Sequence, residues 1–302
     1  MACGAYNTHM DAHGWRGAAA ALALTLTAAS GCSTVPYTNR SQFMVMSESD
    51  DLKLGAAAYQ QVLKQEKISH DPRFTEPVQE VGRRIAAAAE KPEYEWEFTV
   101  IDDPKQANAF CLPGGKVAVY TGTFPIAKDE AGLATVIGHE VAHALARHGA
   151  ERVSTGMALQ AAGAAVAIAA GGQSAATQQA IMSAYGLGAQ VGVALPFSRS
   201  QESEADRIGL ILMAKAGYNP DAAIGLWQRM EQSSGGKGPP EWLSTHPAET
   251  TRQQAIRGWI AEAQQYFKPP PAPNAMLPVV SGATASSGGD TRTAGANEPK
   301  LR

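Results

Sequence analysis

The stretch that most constrains this chain is His139-Glu140-Val141-Ala142-His143, inside the run from Asp129 to His148. Residues four apart on an α-helix lie about 40° apart around its axis, so His139 and His143 can turn two imidazole nitrogens toward a single ion. Glu140 follows directly, where a carboxylate can take a proton from a water on that ion. The five residues read as a site for one zinc ion per chain with its own general base, provided that the segment is a helix. Asp129 and Glu130 suit the positive end of a helix dipole, and Arg147 and His148 suit the other end before Gly149. Leu133, Val136, Ile137, Val141, Ala144 and Leu145 recur at spacings of three and four and predict one buried stripe. The plain alternative is a helix with two incidental histidines.

Two histidines leave zinc short of a ligand, because a catalytic site takes three protein ligands and keeps a position open. The metzincin pattern needs glycine at position 146 and histidine at 149, where this chain has Ala146 and Gly149, so that class is rejected. His148 lies about 140° around the helix from His143 and is expected to point elsewhere. The other solution is a glutamate on a later helix, and Ser200 to Arg207 offers one cluster. Within it Glu202 and Asp206 share a face while Glu204 points to another side. Glu202 is therefore expected as the third ligand, and Asp206 as the carboxylate that orients a ligating histidine through its free N–H. Taken alone, this cluster would read as a solvated helix start.

With Glu202-Ser203-Glu204-Ala205-Asp206-Arg207-Ile208-Gly209 added to the first motif, the chain resembles the M48 family of zinc metallopeptidases, in its bacterial periplasmic and mitochondrial Oma1-like branch. Asn108-Ala109-Phe110, Pro113-Gly114-Gly115, and Thr245-His246-Pro247 ahead of Arg252 extend the likeness, which covers roughly residues 38 to 265. The resemblance implies a zincin-like (gluzincin) domain that hydrolyses peptide bonds. It places His246 close to the metal, either stabilising the oxyanion of the tetrahedral intermediate or occupying zinc's open position and holding the enzyme latent. Arg252 is expected to brace the His246 loop or Asp206. The implied substrates are misfolded or misassembled envelope proteins, with outer-membrane assembly machinery as a further partner.

The rest of the chain fits around this centre. Arg16 precedes the apolar run Gly17–Leu26, which has the length of a signal h-region and is too short to span a bilayer, so residues 1–31 read as a lipoprotein signal peptide, with Met10 an alternative start. Ala28 to Cys32 resembles a lipobox with Cys32 as the lipidated residue, although Ala29 stands where leucine is usual. Ordinary cleavage with Cys32 left as a thiol is the alternative. Ser33 resembles lipoproteins sorted to the outer membrane, so a lipid-anchored periplasmic protein of a Gram-negative bacterium is expected. Of the three cysteines, Cys3 leaves with the signal and Cys32 takes the lipid, so Cys111 remains without an intramolecular disulfide partner.

Residues 32–46 are expected as an extended tether and Ser47–Gln65 as a first helix with Leu52, Leu54, Ala58, Val62 and Leu63 buried. A second helix over Phe74–Ala89 buries Val78, Val81, Ile85 and Ala88. The period then changes to two: Trp96, Phe98 and Val100 alternate with polar residues as in a strand. Asn108–Leu112 and Lys116–Thr121 flank a Pro-Gly turn and predict a hairpin leading into the zinc helix. Such a hairpin suits a protease that adds an extended peptide to a strand edge, with Asn108 and Gly115 as candidate substrate-binding residues. Residues 157–193, rich in small residues, are expected as core helix, or else as a lid or membrane-contacting loop. Together the elements make a mainly α-helical α+β domain over residues 47–267, with a small antiparallel sheet beside the zinc helix. Residues 268–302 are Pro-, Gly- and Ser-rich and read as a disordered tail.

Composition narrows the alternatives. A net charge of −3 supplies no basic footprint for nucleic acid, and contact with the membrane is expected through the N-terminal lipid. A zinc-containing periplasmic chaperone for outer-membrane proteins is the rival reading, and Glu140 argues against it because a binding module needs no base there. A structural zinc protein would need four protein ligands.

Overall fold

A computed structural model describes residues 32–169, 197–233, 252–269 and 276–278. The signal segment, His246 with its loop, residues 170–193 of the expected lid and the tail beyond 278 lie outside them.

The chain begins with a small hairpin, in which β1 (Cys32–Thr34) pairs antiparallel with β2 (Ser41–Phe43). This is a correction to the expected tether. Val35 is fully buried, and the backbone N–H groups of Val45 and Met46 donate to Ser154 Oγ at 3.0 and 3.3 Å. The few apolar residues of the segment reach the main core, a contact between distant parts of the chain that periodicity does not register.

Helix α1 (Glu48–Gln65) starts at Ser47, whose hydroxyl accepts from the Asp50 N–H. Its buried line is Asp51, Gly55 and Tyr59 rather than Leu54, which is exposed. The helix crosses the Pro113 turn so closely that a Cβ on Gly55 would lie 2.2 Å from the Pro113 carbonyl oxygen, so a glycine, not a leucine, faces the contact. Helix α2 (Pro72–Ala89) is capped by Asp71 and buries Val78, Val81, Ile85 and Ala88 as expected.

Strands β3 (Glu97–Ile101), β4 (Ala109–Leu112) and β5 (Lys116–Tyr120) form one sheet in the order β3-β5-β4. The hairpin β4–β5 is present, with Gly114 and Gly115 at φ 85° and 81° in its turn. The sheet is mixed, not antiparallel throughout, because β3 lies parallel to β5. A period of two marks a strand but leaves the direction of its neighbour undetermined.

After a 3-10 turn at Thr121–Thr123 and the short α3 (Phe124–Ala127), helix α4 (Glu130–Leu145) carries the paired histidines, capped by Asp129, whose carboxylate accepts from the Gly132 N–H. Every residue from Ala131 to Leu145 is buried, so α4 is enclosed on all sides rather than along one stripe. Helix α5 (His148–Ala169) follows, then α6 (Arg199–Lys215), α7 (Ala222–Ser233) and α8 (Arg252–Gln264). A capping box between Ser198 and Gln201 starts α6 before Glu202. No described helix is long and apolar enough to cross a membrane.

Helices α4 and α6 meet backbone to backbone. A Cβ on Gly209 would lie 2.9 Å from the His139 nitrogen, and one on Gly138 3.0 Å from the Gly209 oxygen. This close crossing holds the acidic turn of α6 against the histidine face of α4. Part of the expected tail is also ordered against the domain: Leu277 is buried and its N–H donates to the Lys128 carbonyl at 3.0 Å.

Candidate metal centre

At the crossing of α4 and α6, His139, His143 and Glu202 each turn one ligand atom inward, all within 4.8 Å of one another and all buried. The two Nε2 atoms are 3.1 Å apart, and the Glu202 carboxylate oxygens lie 3.5 Å from His139 Nε2 and 3.4 Å from His143 Nε2. A tetrahedral ion bound at about 2.0–2.1 Å separates its ligand atoms by about 3.3–3.5 Å. Two imidazoles and a carboxylate at this spacing are a donor set that fits zinc.

Each imidazole is oriented through its other nitrogen. His139 Nδ1 lies 3.0 Å from Asp206 Oδ1, and Arg252 reaches Asp206 through Nε and Nη2 at 2.7 and 2.8 Å. Arg252 Nη1 also lies 3.0 Å from Glu202 Oε2, and its guanidinium stacks 3.7 Å over the Trp227 ring. Asp206 therefore lies between His139 and Arg252, in contact with both.

His143 Nδ1 faces a histidine instead: His148 Nδ1 lies 2.9 Å away, and His148 Nε2 is 3.0 Å from Glu204 Oε2. The expectation that His148 points elsewhere is corrected. Helix α4 ends at Leu145, and Arg147, at φ 55°, turns the chain so that His148 opens α5 facing back toward the metal helix. A wheel drawn through a continuous helix does not apply across that turn. His148 stands outside the group of three ligand atoms, and Glu204 faces His148. The only sequence signals for this pair are a histidine and a glutamate near the motifs, neither at a ligand spacing. On its other side His143 packs against Phe197, ring centroids 4.0 Å apart, with Arg152 stacked over that ring.

The electrostatics agree with this division. Burial pushes His143 well down, reinforced by the neighbouring His139 and His148, and so favours the neutral form a metal needs. Burial also opposes charge on His139, but the Asp206 and Glu202 carboxylates outweigh it and bring it up to about 9 without metal. Burial would raise Asp206, yet Arg252 and His139 hold it below the usual carboxylate range. Glu204 is likewise brought down to about 2 by His148, Thr38 and Arg40 against the opposing effect of burial.

Glu140 is 3% exposed on the same helix. Strand β4 packs against α4, and burial first, then the charge of Glu140, push the Cys111 thiol on that strand above its ordinary value. Asn108 and Gly115 are not drawn into the ligand group. Asn108 precedes β4 and its carbonyl accepts from Tyr120 N and Thr123 Oγ1, whereas Gly115 lies in the turn at the other end of β4, beneath Trp96.

Comparison with known proteins points the same way. The profile of peptidase family M48 matches residues 72–260. The mitochondrial metalloendopeptidase OMA1 of Schizosaccharomyces pombe is 39% identical over 234 residues, covering 76% of this chain and 67% of that protein. The Saccharomyces cerevisiae protein of the same name is 31% identical over 264 residues, covering 79% and 74%. The beta-barrel assembly-enhancing protease of Yersinia pestis is 28% identical over 227 residues, covering 74% of this chain and 46% of that protein. With two histidines, a glutamate and a buried carboxylate neighbour gathered at one helix crossing, the chain belongs to peptidase family M48 and is a zinc-dependent metalloendopeptidase.

Proposed function

We propose that this peptidase cleaves misfolded or misassembled proteins of the cell envelope, with His139, His143 and Glu202 holding its zinc and Glu140 as general base. The observation that carries this reading is the convergence of those three ligand atoms on the helix that bears Glu140. When bound, zinc supplies a Lewis acid that polarises the scissile carbonyl and lowers the pKa of water toward about 7.

Glu140 accepts the proton of the attacking water on its carboxylate and delivers it to the nitrogen of the leaving amine. Asp206, clamped by Arg252, keeps the Nε2 lone pair of His139 turned inward. The substrate enters as an extended strand along β4, which has β5 on one side and no strand on the other among the described residues. His246 acts on the oxyanion or caps the metal. In His246→Ala, a fall in kcat supports the first role and a gain of activity the second.

Envelope proteins are proposed as substrates because a relative is named for β-barrel assembly and because residues 1–31 read as a lipoprotein signal peptide followed by Cys32. Lipid anchorage in the periplasm, facing the outer-membrane assembly machinery, follows from the same reading.

The test is Glu140→Gln. The variant should keep its fold and one zinc per chain while cleavage of unfolded casein falls about 10²–10⁴-fold. Unchanged cleavage would remove Glu140 from the mechanism. A wild-type protein that binds unfolded envelope proteins without cutting them would instead favour the chaperone reading.

A further inference from the structure

The N-terminal segment reaches further into the molecule than a tether does. Thr38 Oγ1 donates to Glu204 Oε1, and Arg40 Nε donates to Glu204 Oε2 at 2.8 Å. The Nη1 and Nη2 groups of Arg40 donate to Glu151 at 2.6 and 2.9 Å, and Glu151 also accepts from Gln201 Nε2 at 2.8 Å. The Met46 carbonyl accepts from Arg147 Nη2 at 3.0 Å, and Asp51 accepts from Arg147 Nε at 3.0 Å, so the left-handed residue that turns His148 back toward α4 is held from the N-terminal side as well. Of these residues Glu204 touches His148 directly, while the others hold Glu204, Glu151 and Arg147 around it; His148 is 0% exposed and has both ring nitrogens engaged.

The proton positions in this chain are set by its two ends. If the Nε2 lone pair of His143 faces the metal, the ring proton sits on Nδ1 and donates to His148 Nδ1. The proton of His148 is then on Nε2, where it donates to Glu204, an acceptor at both oxygens. Glu204 stays an acceptor in this geometry because Thr38 and Arg40 donate to it. A leucine could occupy the same buried volume, but it would neither accept from His143 nor fix which of its nitrogens is bare.

We propose that His148 is a positioning residue for the metal centre, and that Thr38, Arg40 and Met46 of the N-terminal segment complete its support, so that docking of this segment and zinc binding are coupled. The proposal rests on the reading that His143 is a zinc ligand. It adds a requirement that the pattern of paired motifs does not contain: residues ahead of the first helix belong to the working metal site.

The experiment uses the full mature chain. Zinc affinity is measured by competition with a chromophoric chelator, ligand geometry by the visible absorption of cobalt(II) bound in place of zinc, and the metal-free fold by circular dichroism. His148→Leu should weaken zinc binding about 10–100-fold and alter the cobalt spectrum. His148→Asn, whose amide oxygen can accept near the place of Nδ1, should recover most of the affinity. Thr38→Val combined with Arg40→Met should weaken zinc binding severalfold while leaving the metal-free fold intact. Should His148→Leu not fold, the Thr38/Arg40 variant decides: wild-type affinity with an unchanged cobalt spectrum overturns the proposal, and weakened affinity supports it. His143→Ala tests the underlying reading separately. If that variant keeps wild-type affinity, the ligand assignment fails and takes the proposal with it. If it loses zinc while the His148 and Thr38/Arg40 variants bind like wild type, only the proposal fails.

Discussion

The two imidazoles of the metal centre sit one turn apart on the same helix, yet they are supported differently. His139 leans directly on a carboxylate, Asp206, and the charge of that carboxylate is met by Arg252, itself 7% exposed and stacked on Trp227. His143 reaches its carboxylate, Glu204, only through His148, and the guanidinium beyond it, Arg40, has a side chain 30% exposed. The first arrangement is short, dry and confined to α4, α6, α7 and α8. The second is longer, partly wet and depends on the N-terminal hairpin. Charge pairs strengthen as water is removed, so the His139 side should be the costly one to break and the His143 side the adjustable one.

The comparison is broken most severely at Arg252. In Arg252→Met both Asp206 and Glu202 lose a buried cation, and unfolding of the zinc-free protein by denaturant should show a loss of about 3–5 kcal/mol. A loss no larger than that of Arg40→Met, expected near 1 kcal/mol for a partly solvated pair, would show the two sides to be equivalent. Next in size is the effect on metal. Asp206→Asn should weaken zinc binding about 10–100-fold in chelator competition, and Glu204→Gln less than about 10-fold, because His148 still accepts from His143. The smallest effect is on acid stability. Glu204 is held at about 2 against an ordinary 4.5, so its contribution is complete above pH 4.5 and is lost as the pH falls toward 2. Glu204→Gln should therefore flatten the decline in stability of the zinc-free protein across that window, as read from denaturation midpoints at successive pH values.

Much of this centre is legible in the chain because it is local. The i, i+4 spacing of His139 and His143 and of Glu202 and Asp206 follows from helical geometry, and Asp129, at the start of α4, is a residue whose side chain accepts from the first turn. The burial of Val78, Val81 and Ile85 follows from the same period. Other features were hidden for specific reasons. Leu54 looks like a core residue, but the close approach of α1 to Pro113 gives the buried position to Gly55. The parallel pairing of β3 depends on where β5 lies, which no residue of β3 encodes by itself. His148 escaped because a positive φ at Arg147 ends the helix on which its direction was projected.

The amino-acid sequence by itself determined which side chains have the chemistry for a zinc peptidase and which of them share a helical face, since those relations span a turn or two of one helix. Only the tertiary structure decided how they are supported. Thr38 and Arg40 meet Glu204 across 166 and 164 positions of the chain, a pairing produced by the packing of a hairpin on two helices. Contacts of that range depend on where whole elements come to rest, and local periodicity carries no record of it.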